Sequence, residues 1–278
     1  MTLVSIGDQV GEGTYGLHSR FRRVVNFRHG EFLLSVVDEE IGDGPLNIVV
    51  RDLSTGLMSS NAPLTVGANT VVFENCRFDF TDSQYYQSSV ALDAGDFHLF
   101  RRNLPVFGEE LKTMSPSKSL AFLLDETRTS NFRPGFEGAF VNQIRRGVGQ
   151  VMNGELLDGV RSLKGCGLGL TPSGDDFIAG FLIGRHVLQQ LCGQDCRETA
   201  DAVFQTAKAG NVFSNSFLDL ARRGLLFGRM KELILALVRG GEEAVRTCTR
   251  KLLAVGGSSG ADLGTGFFMT VRSEWGVS

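Results

Sequence analysis

The amino-acid sequence predicts an α+β protein, a β-rich N-terminal domain over residues 1–113 followed by a mainly α-helical domain over residues 114–278. Three observations point there. Short runs of Phe, Val, Ile and Leu separated by turn residues fill the first hundred or so positions, the pattern of strands joined by turns. Around "PVFGEELKTMSPSKSL" the texture changes, and beyond it apolar residues recur at three and four, the period of a buried helix face. The 278 residues are 42% apolar and 21% charged, enough to bury a core in one or two domains.

In chain order, "FRRVVNFRHGEFLLSVVDEEIGDGPLNIVVRDL" breaks into strands at "RHGE", "DEEIGDGP" and the following "STG". "ANTVVFENCRFDF" and "DFHLFRRNL" extend the same small, mostly antiparallel sheet or barrel-like domain. Helices then follow at "SKSLAFLLDETR", "FEGAFVNQIRRGVGQVMN", "DDFIAGFLIGRHVLQQL", "RETADAVFQTAKAG", "SNSFLDLARRGLLFGRMKELILALVRG" and "GEEAVRTCTRKLLAVG". Most of them sit between glycines that can serve as C-caps.

Composition excludes several classes. No apolar run approaches the ~18 residues of a membrane span, and "MTLVSIGDQVGEG" lacks the basic flank and long apolar run of a signal peptide, so a cytoplasmic location is expected. The five cysteines, at 76, 166, 192, 196 and 248, lack zinc or redox spacing and read as free thiols. A net charge of -3 argues against nucleic acid as a partner. That total is divided, with residues 1–113 at -6 and residues 114–278 at +3. Mild positive charge around glycine-rich turns suits a small anionic ligand.

The stretch "GCGLGLTPSGDDFIAG", residues 165–180, carries five glycines and two adjacent aspartates. Thr171 suits an N-cap and Pro172 a first helical position. A helix start presents unpaired N–H groups, and bare glycine backbone lets an anion approach them, so Gly167, Gly169, Gly174 and the hydroxyls of Thr171 and Ser173 form a candidate anion site. For Asp175 and Asp176 three roles are open: stabilising the first turn through the helix dipole, accepting a substrate N–H, or holding a magnesium ion through water. Gly180 and Gly184 are expected to permit close helix packing. "SGADLGTGFFM" at 259–269 aligns without gaps on "SGDDFIAGFLI" at 173–183 with five identities, 86 residues apart, adding Ser259, Gly260 and Asp262 to the candidates. "GNVFSNSFLDLARRG" contributes Asn211, Ser214, Asn215, Ser216, Arg222 and Arg223, polar groups that suit a small polar ligand or, taken alone, an ordinary helix N-cap.

Other chemistries lack support. No Gly-Lys-Ser/Thr follows the glycines, and the order "GCGLGLTP" fits a dinucleotide fingerprint poorly. No G-x-S-x-G element is present. His18, His29, His98 and His186 show no ligand spacing. Cys166 reads as a small buried residue among glycines rather than an activated thiol.

"GLTPSGDD", "SNSFLDLARRG" and "GGSSGADLGTGF", with "HSRFRRVVNF" and "GDGPLNIVV" in the first domain, resemble the AllH-like family, whose members include subunits of oxamate carbamoyltransferase in allantoin and purine degradation. The resemblance implies transfer of a carbamoyl group between oxamate and phosphate, with carbamoyl phosphate as substrate or product, in an assembly with two other subunits. It departs from the family pattern at Gly257, where a His is frequent, and in "GCGLGL", where Gly-Pro-Gly-Leu is common. The expected site thus has Asp175, Asp176 and Asp262 in catalytic roles. Gly167, Gly169, Thr171, Ser173, Gly174, Asn215, Ser259 and Gly260 would bind substrate, and magnesium is the one cofactor to be considered. Two other classes stand beside this one: a non-catalytic ligand-binding or assembly subunit, and a magnesium-dependent enzyme acting on a small phosphorylated metabolite.

Overall fold

The computed structural model describes residues 1–53, 61–74 and 76–273. They fall into two compact units, Met1–Ser89 with Leu225–Lys231, and Val90–Gly224 with the chain from Glu232 onward. The α+β class is as the sequence predicts, strands first and helices after.

In the first unit the strands are β1 (Thr2–Gly7), β2 (Gly13–Phe21), β3 (Val24–His29), β4 (Phe32–Asp38), β5 (Asn47–Arg51), β6 (Leu64–Gly67), β7 (Thr70–Phe73), β8 (Cys76–Asp79) and β9 (Tyr85–Tyr86). They form one sheet in the order β8-β7-β6-β2-β3-β4-β5-β1-β9. Pairing is antiparallel except for β4 with β5 and β1 with β9. Alternate residues such as Leu34 and Val36, with Phe27, Ile48, Leu64 and Phe73, build the core on one face. Phe27 and Phe73 meet edge to face at 5.6 Å. The expected "STG" turn after β5 lies outside the described residues.

In the second unit "DFHLFRRNL" does not extend the sheet but opens α1 (Phe97–Met114). Phe100, Asn103, Leu104, Phe107 and Leu111 are buried at helical spacing, and Pro105, which hides that period in the sequence, lies inside the helix. The boundary read near residue 113 falls at the end of this helix. "SKSLAFLLDETR" also differs from expectation, forming 3₁₀ segments at Leu120–Leu123 and Glu126–Asn131. The remaining helices are α2 (Phe136–Met152), α3 (Leu156–Leu163), α4 (Ser173–Cys192), α5 (Arg197–Ala207), α6 (Val212–Arg222), α7 (Gly228–Arg239), α8 (Glu242–Leu253) and α9 (Ser259–Ser273). The long run read from 214 to 240 is divided between α6 and α7 by Gly224, at φ +68°.

Helices α4 and α9 form the centre of this unit, each buried nearly all round. A Cβ on Gly180 would collide with the carbonyl oxygen of Leu263, and one on Gly266 with that of Phe177. Gly184 lies against Thr270 in the same way. The sequence offset of 86 relates each residue to its counterpart, so the two helices cross about a local two-fold axis. The packing expected of Gly180 and Gly184 is thus what the glycines do. Among the described residues, no helix is long and apolar enough to cross a membrane, and all five cysteines are free thiols.

Candidate functional site

The two matching segments begin their helices on one plan. After α3, the Cys166 N–H donates to Leu163 O at 2.9 Å and the Gly174 N–H to Cys166 O at 2.8 Å. After α8, the Val255 N–H donates to Leu252 O at 2.9 Å and the Gly260 N–H to Val255 O at 3.1 Å. A Cβ on Gly174 would strike Leu163 O, and one on Gly260 would strike Leu252 O. These two glycines therefore let the new helix start against the end of the previous one, and their amides are engaged within the protein rather than offered to an anion. The amides of Asp175 and Asp176 are likewise engaged, both on Pro172 O.

The helix begins one residue later than the cap signal suggests. Pro172, extended at ψ 146°, takes the N-cap position and Ser173 is the first helical residue. Thr171 is thereby freed from capping, and its Oγ1 lies 3.3 Å from Ser259 Oγ at the start of α9. Gly167 and Gly169, at φ +124° and +115°, carry the chain around the start of α4, where a Cβ on Gly167 would sit 2.6 Å from the Ser173 nitrogen. Leu168 and Leu170 of this loop point outward, 82% and 49% exposed.

The carboxyls divide sharply. Asp175 is buried and its Oδ1 accepts the Gly165 N–H at 2.7 Å, pinning the foot of the glycine loop. Asp262 Oδ1 accepts the Leu120 N–H at 2.6 Å and Oδ2 accepts the Ser258 hydroxyl at 2.8 Å, with the Ser173 hydroxyl nearby. Asp176 has the hydroxyls of Ser259 and Thr171 beside it. Its Oδ2, fully buried, has no hydrogen-bond partner among the described residues. The serine that opens each helix thus serves the aspartate of the other: Ser173 meets Asp262, and Ser259 meets Asp176.

Burial sets the electrostatics. It pushes the Asp262 carboxyl up to about 6 against the opposing pull of Leu120, Ser173 and Ser258. Burial, and then the charge of Asp262, hold Asp176 well above the usual carboxylate range. Cys166 is also raised, by burial and then by Asp175, which leaves it a poor nucleophile.

Asn215 is not brought to this cluster through any hydrogen bond. Its side chain bonds Ala209 twice, at 3.0 and 2.7 Å, and closes the turn before α6. Asn211 makes the connection instead: it caps α6 through Phe213 and Ser214, and its Nδ2 donates to Leu170 O at 2.7 Å, tethering the glycine loop. Arg222 bonds Asp201 and Asp219 and lies over Phe204, a surface network rather than a ligand clamp. Sequence reasoning missed Ser258 and the Leu120 amide. Ser258, four residues before Asp262 in "GGSSGAD", was within reach of a capping argument; Leu120 lies 142 positions away and left no local signal. Among the described residues no three His, Cys, Asp or Glu side chains converge as a metal cluster.

Residues 163–271, from the end of α3 through most of α9, match the family model described as oxamate carbamoyltransferase subunit AllH. This bears out the AllH-like resemblance over that stretch, which holds both helix starts and the Asn211 tether. Neither a curated protein nor a solved structure matched the chain.

Proposed function

We propose that this AllH-like chain is a subunit of an oxamate carbamoyltransferase-type complex and holds a small anionic substrate at the paired starts of α4 and α9. The carrying observation is the cross-bonded pair itself: two helix starts of one plan, exchanging Ser–Asp contacts, inside the stretch that matches the family. Oxamate has a carboxylate and an amide, carbamoyl phosphate a phosphate and an amide, and both need several short-range donors. Thr171, Ser173 and Ser259 supply hydroxyls, and the bare backbone of Gly167 and Gly169 allows close approach. Carbamoyl transfer develops negative charge on the carbonyl oxygen, and preorganised donors in a desolvated site are the general means of stabilising it. The other catalytic parts would come from partner chains, two in number by the family resemblance, in nitrogen or purine catabolism.

A second reading, a non-catalytic assembly subunit, draws on the engaged state of Asp175, Asp262, Gly174 and Gly260. Calorimetric titration of the isolated chain with oxamate and carbamoyl phosphate, with and without magnesium, separates the readings, because the proposed donors all lie within the second unit. We expect saturable binding that Ser259→Ala weakens about tenfold, as the loss of a buried hydrogen bond to a charged ligand does. No binding to either ligand favours the assembly subunit, and binding that requires magnesium favours the metal-dependent enzyme.

A further inference from the structure

The cluster poses a problem that its geometry also resolves. An anion is to bind where three carboxyls are buried, and the charges acting on Asp176 are both acidic, Asp262 from α9 and Asp175 from its own helix. Among the described residues no other charge acts on Asp176: α6 presents Asn211 and the buried Ser214 near its start, and α3 ends at Leu163. Asp175 and Asp262 are occupied by protein donors, Asp262 by one on each of its two oxygens. A donor on each oxygen suits an ionised carboxylate, so the negative charge of the Asp176–Asp262 pair belongs on Asp262. A second charge beside it, in a site where Asp176 is 2% exposed, is strongly disfavoured. Asp176 then carries a proton, and its fully buried Oδ2 has no partner among the described residues.

We propose that Asp176 serves this site as a neutral carboxylic acid whose Oδ2–H donates a hydrogen bond to an oxygen of the bound anion. The inference rests on the reading of the site given above and names the ligand chemistry that site takes: a small anion with an acceptor oxygen turned toward Asp176. A neutral acid removes the repulsion and supplies a donor where the first-turn amides of α4 are engaged. Asp262 is a positioning residue in this scheme, holding the charge that keeps the proton on its neighbour.

The test is oxamate binding to the full chain by calorimetry from mildly acidic to mildly alkaline pH, a range in which oxamate keeps its charge. Wild type should lose about tenfold in affinity per pH unit above the titration of Asp176 and take up a proton on binding there. Asp176→Asn, which keeps an uncharged donor, should bind within a few-fold of wild type with no pH dependence above the titration of Asp262 at about 6. Asp176→Ala should lose about tenfold at every pH. Infrared spectroscopy supplies the second readout, a protonated-carboxyl band at neutral pH that Asp176→Asn removes. Wild-type affinity that is flat or rises with pH, or a folded Asp176→Asn as weak as Asp176→Ala, overturns the donor role and leaves the oxamate reading standing. Absence of the infrared band also overturns the donor role. A wild type that keeps the band yet binds oxamate at no pH overturns the oxamate reading and the donor role together.

Discussion

The starts of α4 and α9 are two versions of one device. Each has a glycine pressed on the carbonyl of the preceding helix, an opening serine, and a buried aspartate three residues later. They differ in the crossing that precedes them. From Cys166 to Gly174 the chain takes eight steps, against five from Val255 to Gly260. The extra length makes the glycine loop with its outward leucines, and brings Thr171 beside Asp176. The shorter crossing leaves Ser258 four residues ahead of Asp262 to bond it, while Leu120 supplies a backbone donor. One copy is thus closed on the protein's own donors and the other leaves a buried oxygen unpaired among the described residues. The two starts share one scaffold, and the longer crossing with one neighbouring segment decides which half keeps an unpaired carboxyl oxygen.

The largest effects should come from breaking what the two halves share. Gly180→Ala and Gly266→Ala put equivalent methyls into the facing backbone, and each should cost about 3 kcal/mol or prevent folding. Denaturant unfolding of both variants tests the symmetry directly: a large cost for one and none for the other would mean that the halves are not equivalent at the crossing.

The carboxyls come next, where the halves differ. The folded-state value of Asp262 is raised from 3.8 to about 6, so the native protein holds this proton more tightly than the unfolded chain does. The contribution is therefore fully present below the unfolded value, declines as pH rises through about 6, and amounts to about 3 kcal/mol across that window. Asp262→Asn should flatten this part of the stability–pH curve relative to wild type, read as the difference between the two proteins' unfolding free energies. A curve that keeps its slope would place the raised titration elsewhere. Asp262→Ala adds a cost of about 2 kcal/mol by stranding the Leu120 amide.

The smallest predicted effect sharpens the loop's part in the comparison. Asn211→Ala removes a cap and the Leu170 tether together, and should cost about 1 kcal/mol. Protection of the loop amides from hydrogen exchange should fall while that of the α9 start is unchanged. Equal loss at both starts would mean that Asn211 supports the whole unit rather than the glycine loop.

Much of the fold was legible because the signals were local. The period-two runs of β3, β4 and β5 and the period-four runs of α4, α5 and α8 each lie within a dozen or so residues, and turn chemistry separates them. Where local signals conflicted, the reading failed. Pro105 interrupts the period of α1, and packing of Phe100, Phe107 and Leu111 against the core overrides it. For the site, the repeat in the sequence found both helix starts and four of the residues that meet there, Ser173, Asp176, Ser259 and Asp262, and the cap signal added Thr171. It could not separate Asn211 from Asn215, since either side chain suits the beginning of a helix.

By itself the sequence determined the class of the chain, the two related helix starts and the residue types at them, because composition, periodicity and short motifs act through neighbours along the chain. Only the tertiary structure decided which carboxyl is satisfied and which is not. That depends on donors such as the Leu120 amide and the crossed serines, brought together from distant positions, and on burial, which raises both Asp176 and Asp262 above the ordinary carboxylate range.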